Sequence, residues 1–442
     1  MSWSSPEESL FAAHLQLTSA AVESAMQTQR FEGLVIQAGE NRLVFQDDQT
    51  VPFRTNPWFA WLVPAPPAPG SLLEIRPGCP PKLIFVAPDD YWHSPPDPPS
   101  ESWTKHFEIQ VVPDAATALT ILQCSANTSA WIGESPPPGW LANPELLLGE
   151  LTQARCRKTG HELRCLRNAS RVAVRGHLAA EQSFRNGASE FDIHLAFLAA
   201  VRQSDSELPY PAIIALNEHC ATLHYQLRDI RPPRRPLSML IDAGAIHGGY
   251  GSDITRTWAM TPGVFAMLIE SMHSLQQELC AAVAPGMDWR ELHLRAHHMI
   301  AQLLRDAGVL RLSAEAAVAA GVSSLFMPHG LGHLLGLQVH DVGGFSAGAG
   351  EESISRPEGH PALRLTRRLA AGMVVTVEPG LYFIDSLLQI LRSGPHAGEV
   401  NWTLVETLRA CGGIRIEDNV VVTASGHENL TRAAFADLSV SA

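Results

Sequence analysis

Five apolar segments each carry an ionisable side chain at or near their end, and this restricts the fold more than any other feature of the chain. MLIDAG (Met239–Gly244) ends on Asp242, and Asp253 follows eleven residues later in SDITR (Ser252–Arg256). The interval between them is glycine-rich, so a hairpin could set the two carboxylates side by side on neighbouring strands. His333 lies in PHGLGHLLG (Pro328–Gly336), Glu378 ends VVTVE (Val374–Glu378), and Glu417 sits inside GGIRIEDN (Gly412–Asn419). Taken singly, each has an ordinary explanation as a turn former, a solvated charge or a structural histidine. Taken together, four carboxylates and one imidazole brought into apolar surroundings need a counter-charge, because an unpaired buried charge costs several kcal/mol.

Two divalent cations would supply it, four negative charges meeting four positive ones. Oxygen-rich ligation with a single imidazole favours hard to borderline ions such as Mn²⁺ over a thiolate-bound structural zinc. Paired metals that share a water lower its pKa and polarise a carbonyl, the chemistry of a hydrolase. Spacing alone leaves the substrate open.

The remaining chain reads as two domains. Ser9–Phe31 has helical spacing and Leu34–Gly39 is strand-like, followed by the proline-rich connectors Pro64–Gly70, Ser94–Ser100 and Ser135–Gly139. Apolar runs at Leu72–Ile75, Lys82–Val86 and Phe107–Val112 alternate with helical stretches, which predicts an α/β domain over residues 1–158. Beyond it, helical patterns at Leu163–Phe184, Glu190–Arg202, Phe265–Val283 and Trp289–Ala307 accompany strand-like segments at Ser238–Gly244, Asp253–Met260, Met373–Glu378 and Gly413–Val422. Residues 159–442 are therefore expected to form a mixed antiparallel sheet backed by helices, an α+β architecture.

Composition removes other classes. The 442 residues carry 45 Asp+Glu against 32 Lys+Arg, a formal charge of −13, with no block of basic residues. Such a chain is a poor partner for nucleic acid or an anionic membrane. No apolar run approaches the roughly 18–20 residues of a membrane span. The seven cysteines are scattered without a C-x-x-C, which fits a reducing compartment, and the N-terminus does not read as a secretory signal. The expected location is the cytoplasm.

These segments resemble the metal-ligand motifs of the pita-bread metallopeptidases: LIDAG with SDITRT, FMPHGLGHLLGLQVHDVGGF, VEPGLYF and GGIRIEDNVVV. Within that superfamily, ALNEHCATLHY (Ala215–Tyr225), LRLTRRLAAGMVVTVEPG (Leu363–Gly380) and DYWH (Asp90–His93) are similar to bacterial Xaa-Pro dipeptidases, the prolidases, whose relatives include organophosphorus acid anhydrolases. The resemblance implies that Asp242 binds one metal, Asp253 and Glu417 bridge both, and His333 and Glu378 bind the other. Glu378 would also accept the proton of the attacking water. His340 and His224 would act at the reacting carbonyl, with His340 donating to it. Arg364 would hold the C-terminal carboxylate of a dipeptide, and Arg415, His329 and Tyr210 would line the substrate pocket. The resemblance further implies two Mn²⁺ ions per subunit, a hydroxide bridging them as nucleophile, release of free proline, and a homodimer in which the N-terminal domain helps cover the partner's site.

The chain departs from the family pattern at Leu334, where proline is common, and at Trp289, where tyrosine is common; both bear on side-chain preference. Three alternatives stay open at this level: an Xaa-Pro aminopeptidase acting on longer peptides, a hydrolase directed at organophosphate triesters and fluoridates, and a binding protein that has lost catalysis.

Overall fold

Apolar runs of four or five residues between turn-forming segments build the N-terminal part of the chain. The computed structural model describes residues 4–439 except 67, 93, 95, 347 and 349; His93 of the Asp90–His93 motif thus lies outside the described residues. The chain divides into two compact units, one of Met1–Arg155, Thr159–Leu163 and Gly348–Gly350, the other of Cys156–Lys158, Arg164–Ala347 and Glu351–Ala442.

In the first unit, helix α1 (Ser5–Gln29) begins where the Glu7 carboxylate accepts from the N–H and hydroxyl of Ser4, and it ends at Arg30 in the left-handed region. Six strands follow: β1 (Gly33–Gln37), β2 (Leu72–Ile75), β3 (Lys82–Val86), β4 (Glu108–Val112), β5 (Ser129–Ile132) and β6 (Leu141–Ala142). They form one sheet in the order β4-β3-β2-β1-β5-β6, mixed in direction, with β1 antiparallel to β2 and parallel to β5. Every residue of β1, β2, β3 and β5 is buried, as expected of strands covered on both faces.

The second unit is built from antiparallel pairs. Strands β7 (Ile213–Leu216), β8 (Ser238–Asp242) and β11 (Thr255–Ala259) lie in the order β11-β8-β7, and the two-residue strands β9 (Ile246–His247) and β10 (Tyr250–Gly251) close the turn between β8 and β11. Strands β12 (Val374–Val377), β15 (Asp418–Val422) and β16 (His427–Asn429) form a second group, and β13 (Gly380–Tyr382) with β14 (Gly413–Arg415) a third. An isolated bridge between Thr255 and Glu417 links the first group to the segment between β14 and β15. Two amphipathic helices, α2 (Val264–Ala281) and α3 (Trp289–Asp306), place Leu268, Met272, Leu279, Trp289, Ala296, Ile300 and Leu304 in one buried cluster with Val375, Val377, Ile414 and Val420. Burying each large aliphatic side chain contributes about 1.5–3 kcal/mol, so this layer holds the site's strands in place.

Met373–Glu378, expected as strand-like, forms one strand that stops at Val377, whereas the expected strand-like segment Gly413–Val422 splits at Ile416–Glu417. Pro379 has no N–H to offer the ladder, so β12 cannot run on into β13 without a break. Opposite it, the Glu417 N–H leaves that ladder and bonds Thr255 O at 3.0 Å. The two interruptions face each other and carry the two glutamates.

Beneath them, Arg256 Nη2 meets Asp418 Oδ1 at 2.6 Å with both side chains buried, and Arg432 and Asn429 hold the other carboxylate oxygen. Burial opposes ionisation of Asp418, but Arg256 and Arg432 outweigh it and hold the carboxyl far below its ordinary range. Asp418→Ala would leave Arg256 buried without its partner, and we expect it to cost about 3–5 kcal/mol. Chemical denaturation should show that loss; a change below about 1 kcal/mol would mean that the pair does not brace these strands.

Candidate metal centre

The site grows from residues at the ends of short strands and in the breaks between them. Asp242 ends β8, where it pairs with Thr255 of β11; Asp253 lies two residues earlier than Thr255. The hairpin expected between the carboxylates is present, although the residue directly opposite Asp242 is Thr255 and not Asp253. Its approach is close: a Cβ on Gly244 would come within 1.9 Å of Ser252 O, so only glycine fits. The same holds at Gly332, where a Cβ would meet Thr376 O at 2.1 Å; the missing side chain lets the His333 segment lie directly on β12.

His333, Asp253 and Glu417 are all buried, and one ligand atom from each lies within 4.8 Å of the others. His333 Nε2 is 3.3 Å from Asp253 Oδ2 and 3.7 Å from Glu378 Oε1. Its Nδ1 lies 3.0 Å from Leu334 O, which directs Nε2 toward the carboxylates. Asp242 joins from the side, accepting 2.8 Å from the Tyr210 hydroxyl and 2.7 Å from Arg415 Nη2. The structure thus brings together all five residues expected as metal ligands.

The electrostatics follow from crowding. Burial, and then the charges of Asp253, Glu378 and Asp242, push Glu417 well above the ordinary carboxylate range. Burial raises Glu378 to about 7 and also raises Asp242, with Arg415 acting in the opposite direction on both. Asp253 is different: burial raises it, but the hydrogen bond and charge of His333 win and leave it lowered. Four carboxylates therefore meet one guanidinium and one imidazole, an excess of negative charge. This donor set, rich in oxygen with one nitrogen, fits hard to borderline divalent metals.

The other residues expected at the site fall around it. His340 stacks edge-to-face on His333, with ring centroids 4.3 Å apart. His329 bonds Tyr382 Oη at 2.9 Å and has Glu378 Oε2 3.9 Å from its Nδ1; burial, then the charge of Arg415, lowers it to about 4. His224 and Arg364 are exposed, yet both lie close enough for their charges to act on His340. The Arg364 guanidinium has no hydrogen bond or ion pair among the described residues. Arg415 and Tyr210, expected at the substrate, turn to the protein. The Arg415 guanidinium holds Asp242, Tyr382 and Thr255, and the Tyr210 hydroxyl is directed at Asp242.

Sequence reasoning missed the hydroxyls that hold the glutamates. Thr255 Oγ1 donates to Glu417 Oε2 at 2.7 Å, and Thr376 Oγ1 bonds the His333 N–H at 3.1 Å and Glu378 Oε1 at 3.4 Å. A signal was present for Thr376 in T-x-E (Thr376–Glu378), since residues two apart in extended backbone share a face; nothing near Thr255 pointed to Glu417. Trp289 is fully buried in the helix layer, and Leu334 is buried with it.

Residues 164–424 match Metallopeptidase family M24, and residues 9–151 match the Xaa-Pro dipeptidase N-terminal domain. The chain is 48% identical over 434 residues to an Xaa-Pro dipeptidase of Xanthomonas euvesicatoria, covering 97% of this chain and 98% of that one. It is 45% identical to an Xaa-Pro dipeptidase of Stenotrophomonas maltophilia, covering 97% of each. Among solved structures, Escherichia coli aminopeptidase P with the inhibitor Pro-Leu matches with a TM-score of 0.73 at 21% identity, covering 95% of each chain. Pseudomonas aeruginosa aminopeptidase PepP matches with a TM-score of 0.70 at 22% identity, covering 96% of this chain and 99% of that one. At those identities the structural likeness establishes the fold. No described helix is long and apolar enough to cross a membrane.

Protons compete with metal for these carboxylates, so metal should stabilise the chain more as pH rises. Glu378 and Glu417 have folded-state pKa values above their unfolded ones, so in metal-free protein their contribution is complete at low pH and is lost as pH rises through the folded values. The rise in melting temperature caused by Mn²⁺ should therefore grow between pH 5 and pH 8; an equal rise at both would count against metal at this cluster. In sequence and in fold, this chain belongs to metallopeptidase family M24, alongside the Xaa-Pro dipeptidases.

Proposed function

We propose that this chain hydrolyses Xaa-Pro dipeptides at the bond before the C-terminal proline and releases free proline. The observation that carries this reading is the buried Asp253–His333–Glu417 cluster, with Asp242 and Glu378 at its edge, in a chain that follows Xaa-Pro dipeptidases over nearly its whole length. The scissile nitrogen belongs to a proline ring and carries no N–H, which sets this bond apart from an ordinary peptide.

Asp242, Asp253, His333, Glu378 and Glu417 would hold two divalent metals, with Mn²⁺ the ion that the donor chemistry favours. When bound, the metals acidify water and polarise the carbonyl under attack. The chain's own groups would do the rest. Glu378 would take the proton from the attacking water. His340 would donate to the carbonyl oxygen as negative charge develops there, with His224 beside it. Arg415 and Tyr210 orient Asp242, the task of groups that brace a metal ligand. His329, bonded to Tyr382, would form part of the wall against which the substrate rests.

Arg364 supports the dipeptidase over an aminopeptidase. Its guanidinium is exposed, has no partner among the described residues and acts on His340, so it is available for a substrate carboxylate. Closing that end restricts the substrate to two residues. A homodimer in the cytoplasm accompanies this reading; the exposed neighbouring rings of Tyr91 and Trp92 offer an apolar surface for a second copy, and none of the seven cysteines is in a disulfide.

EDTA-stripped protein supplied with Mn²⁺ should cleave an Xaa-Pro dipeptide and leave the matching tripeptide intact. Cleavage of both would favour the aminopeptidase, and cleavage of neither would overturn the proposal. Arg364→Ala should raise KM for the dipeptide by roughly 10- to 100-fold, the equivalent of about 1.5–3 kcal/mol for hydrogen bonds to a charged group. Tyr210→Phe should weaken metal binding by about 10-fold or more, read by metal analysis after dialysis, as loss of a group bracing a metal ligand generally does.

A further inference from the structure

A second cluster of metal-ligating side chains stands apart from the carboxylates. His293 and His297 lie four residues apart on α3, so they share one face of the helix, and both are about 1% exposed. His360 comes to meet them from the irregular segment between Ser353 and Val374 and is half-buried. The ring centroids are 4.6 Å apart for His293 and His297, 4.7 Å for His293 and His360, and 4.5 Å for His297 and His360. One nitrogen from each ring lies within 4.8 Å of one from each of the others.

Two observations point to a ligand. His297 Nε2 and His293 Nδ1 are buried and have no hydrogen-bond partner, an uncommon state for an imidazole in a protein interior. His297 Nδ1, by contrast, lies 3.2 Å from Ser323 Oγ. A hydroxyl on one ring nitrogen, with the other nitrogen left unpaired in the interior, is the arrangement that orients a histidine for metal. Burial, reinforced by the neighbouring histidines, holds His293 and His297 neutral at physiological pH, the form in which imidazole binds metal.

We propose that His293, His297 and His360 form a separate metal site that takes a borderline divalent cation such as Zn²⁺ through three imidazole nitrogens. The absence of any carboxylate from the cluster separates its preference from that of the main centre, since imidazole suits zinc, copper and nickel whereas carboxylate oxygens suit manganese and magnesium. Three protein nitrogens would leave a coordination position for water. An ion here ties α3 to the segment that carries Arg364, four residues beyond His360. The site does not depend on the reaction assigned above.

The test uses the full chain with Asp253→Asn and Glu417→Gln, which weaken the carboxylate centre, equilibrated with Zn²⁺ by dialysis and read by metal analysis. One Zn²⁺ per chain is expected. Adding His297→Gln or His360→Gln should lower that affinity at least 10-fold, and Ser323→Ala should lower it roughly 10-fold. His298→Gln, on the exposed neighbour of His297, should leave it unchanged. His360 lies outside any helix or strand, so its variant keeps the test valid even where His297→Gln impairs folding. Failure of the carboxylate-depleted chain to hold zinc, or zinc affinity unaffected by His360→Gln, would overturn the proposal; neither result bears on dipeptide hydrolysis.

Discussion

Four carboxylates are held within reach of one buried imidazole, and the second unit is arranged around the cost of doing so. Asp242, Asp253, Glu378 and Glu417 repel one another in a setting that solvates them poorly, which is why burial raises three of the four. The fold opposes that repulsion with short, directed contacts. Arg415 and Tyr210 hold Asp242, Thr255 holds Glu417, and His333 holds Asp253. The negative charge left over is what a pair of divalent cations would neutralise.

The sheet interruptions make this crowding possible. A continuous strand through Glu378 would spend its backbone groups on the ladder and alternate its side chains regularly across the two faces. Pro379 ends β12 after Val377, and Glu417 leaves the opposite ladder to bond Thr255, so both glutamates are aimed by backbone that is not in regular pairing. Directly beyond Glu417, Asp418 is locked by Arg256 and Arg432. Neighbouring acidic residues thus serve opposite ends: Glu417 remains open to a cation, and Asp418 is fully paired with protein.

Two kinds of donor set occur in the same unit. The carboxylate cluster draws its residues from strand ends, where backbone geometry changes abruptly and short side chains converge. The histidine cluster uses two positions on one helical face and a third from an irregular segment, and two of its nitrogens are left unpaired in the interior. A helix supplies precise spacing for imidazoles, whereas broken strands supply convergence for carboxylates. The chemistry of the donors separates the metals that each would take.

The sequence by itself determined the element types and pointed to the five residues that converge in the carboxylate cluster. Apolar runs of strand length ending in acid residues, glycines flanking His333, and helical periodicity at Phe265–Val283 and Trp289–Ala307 are local patterns, and local patterns survive without knowledge of the fold. The proline in VEPG even marks where a strand must break, although the matching break at Ile416–Glu417 has no such marker. Only the tertiary structure decided that Arg415 and Tyr210 face Asp242, that Thr255 and Thr376 brace the glutamates, and that His360 reaches across 67 residues to His293. Apart from Thr376 and Glu378, which are two residues apart, those contacts join segments distant in the chain, and their partners are fixed by how strands cross and helices pack.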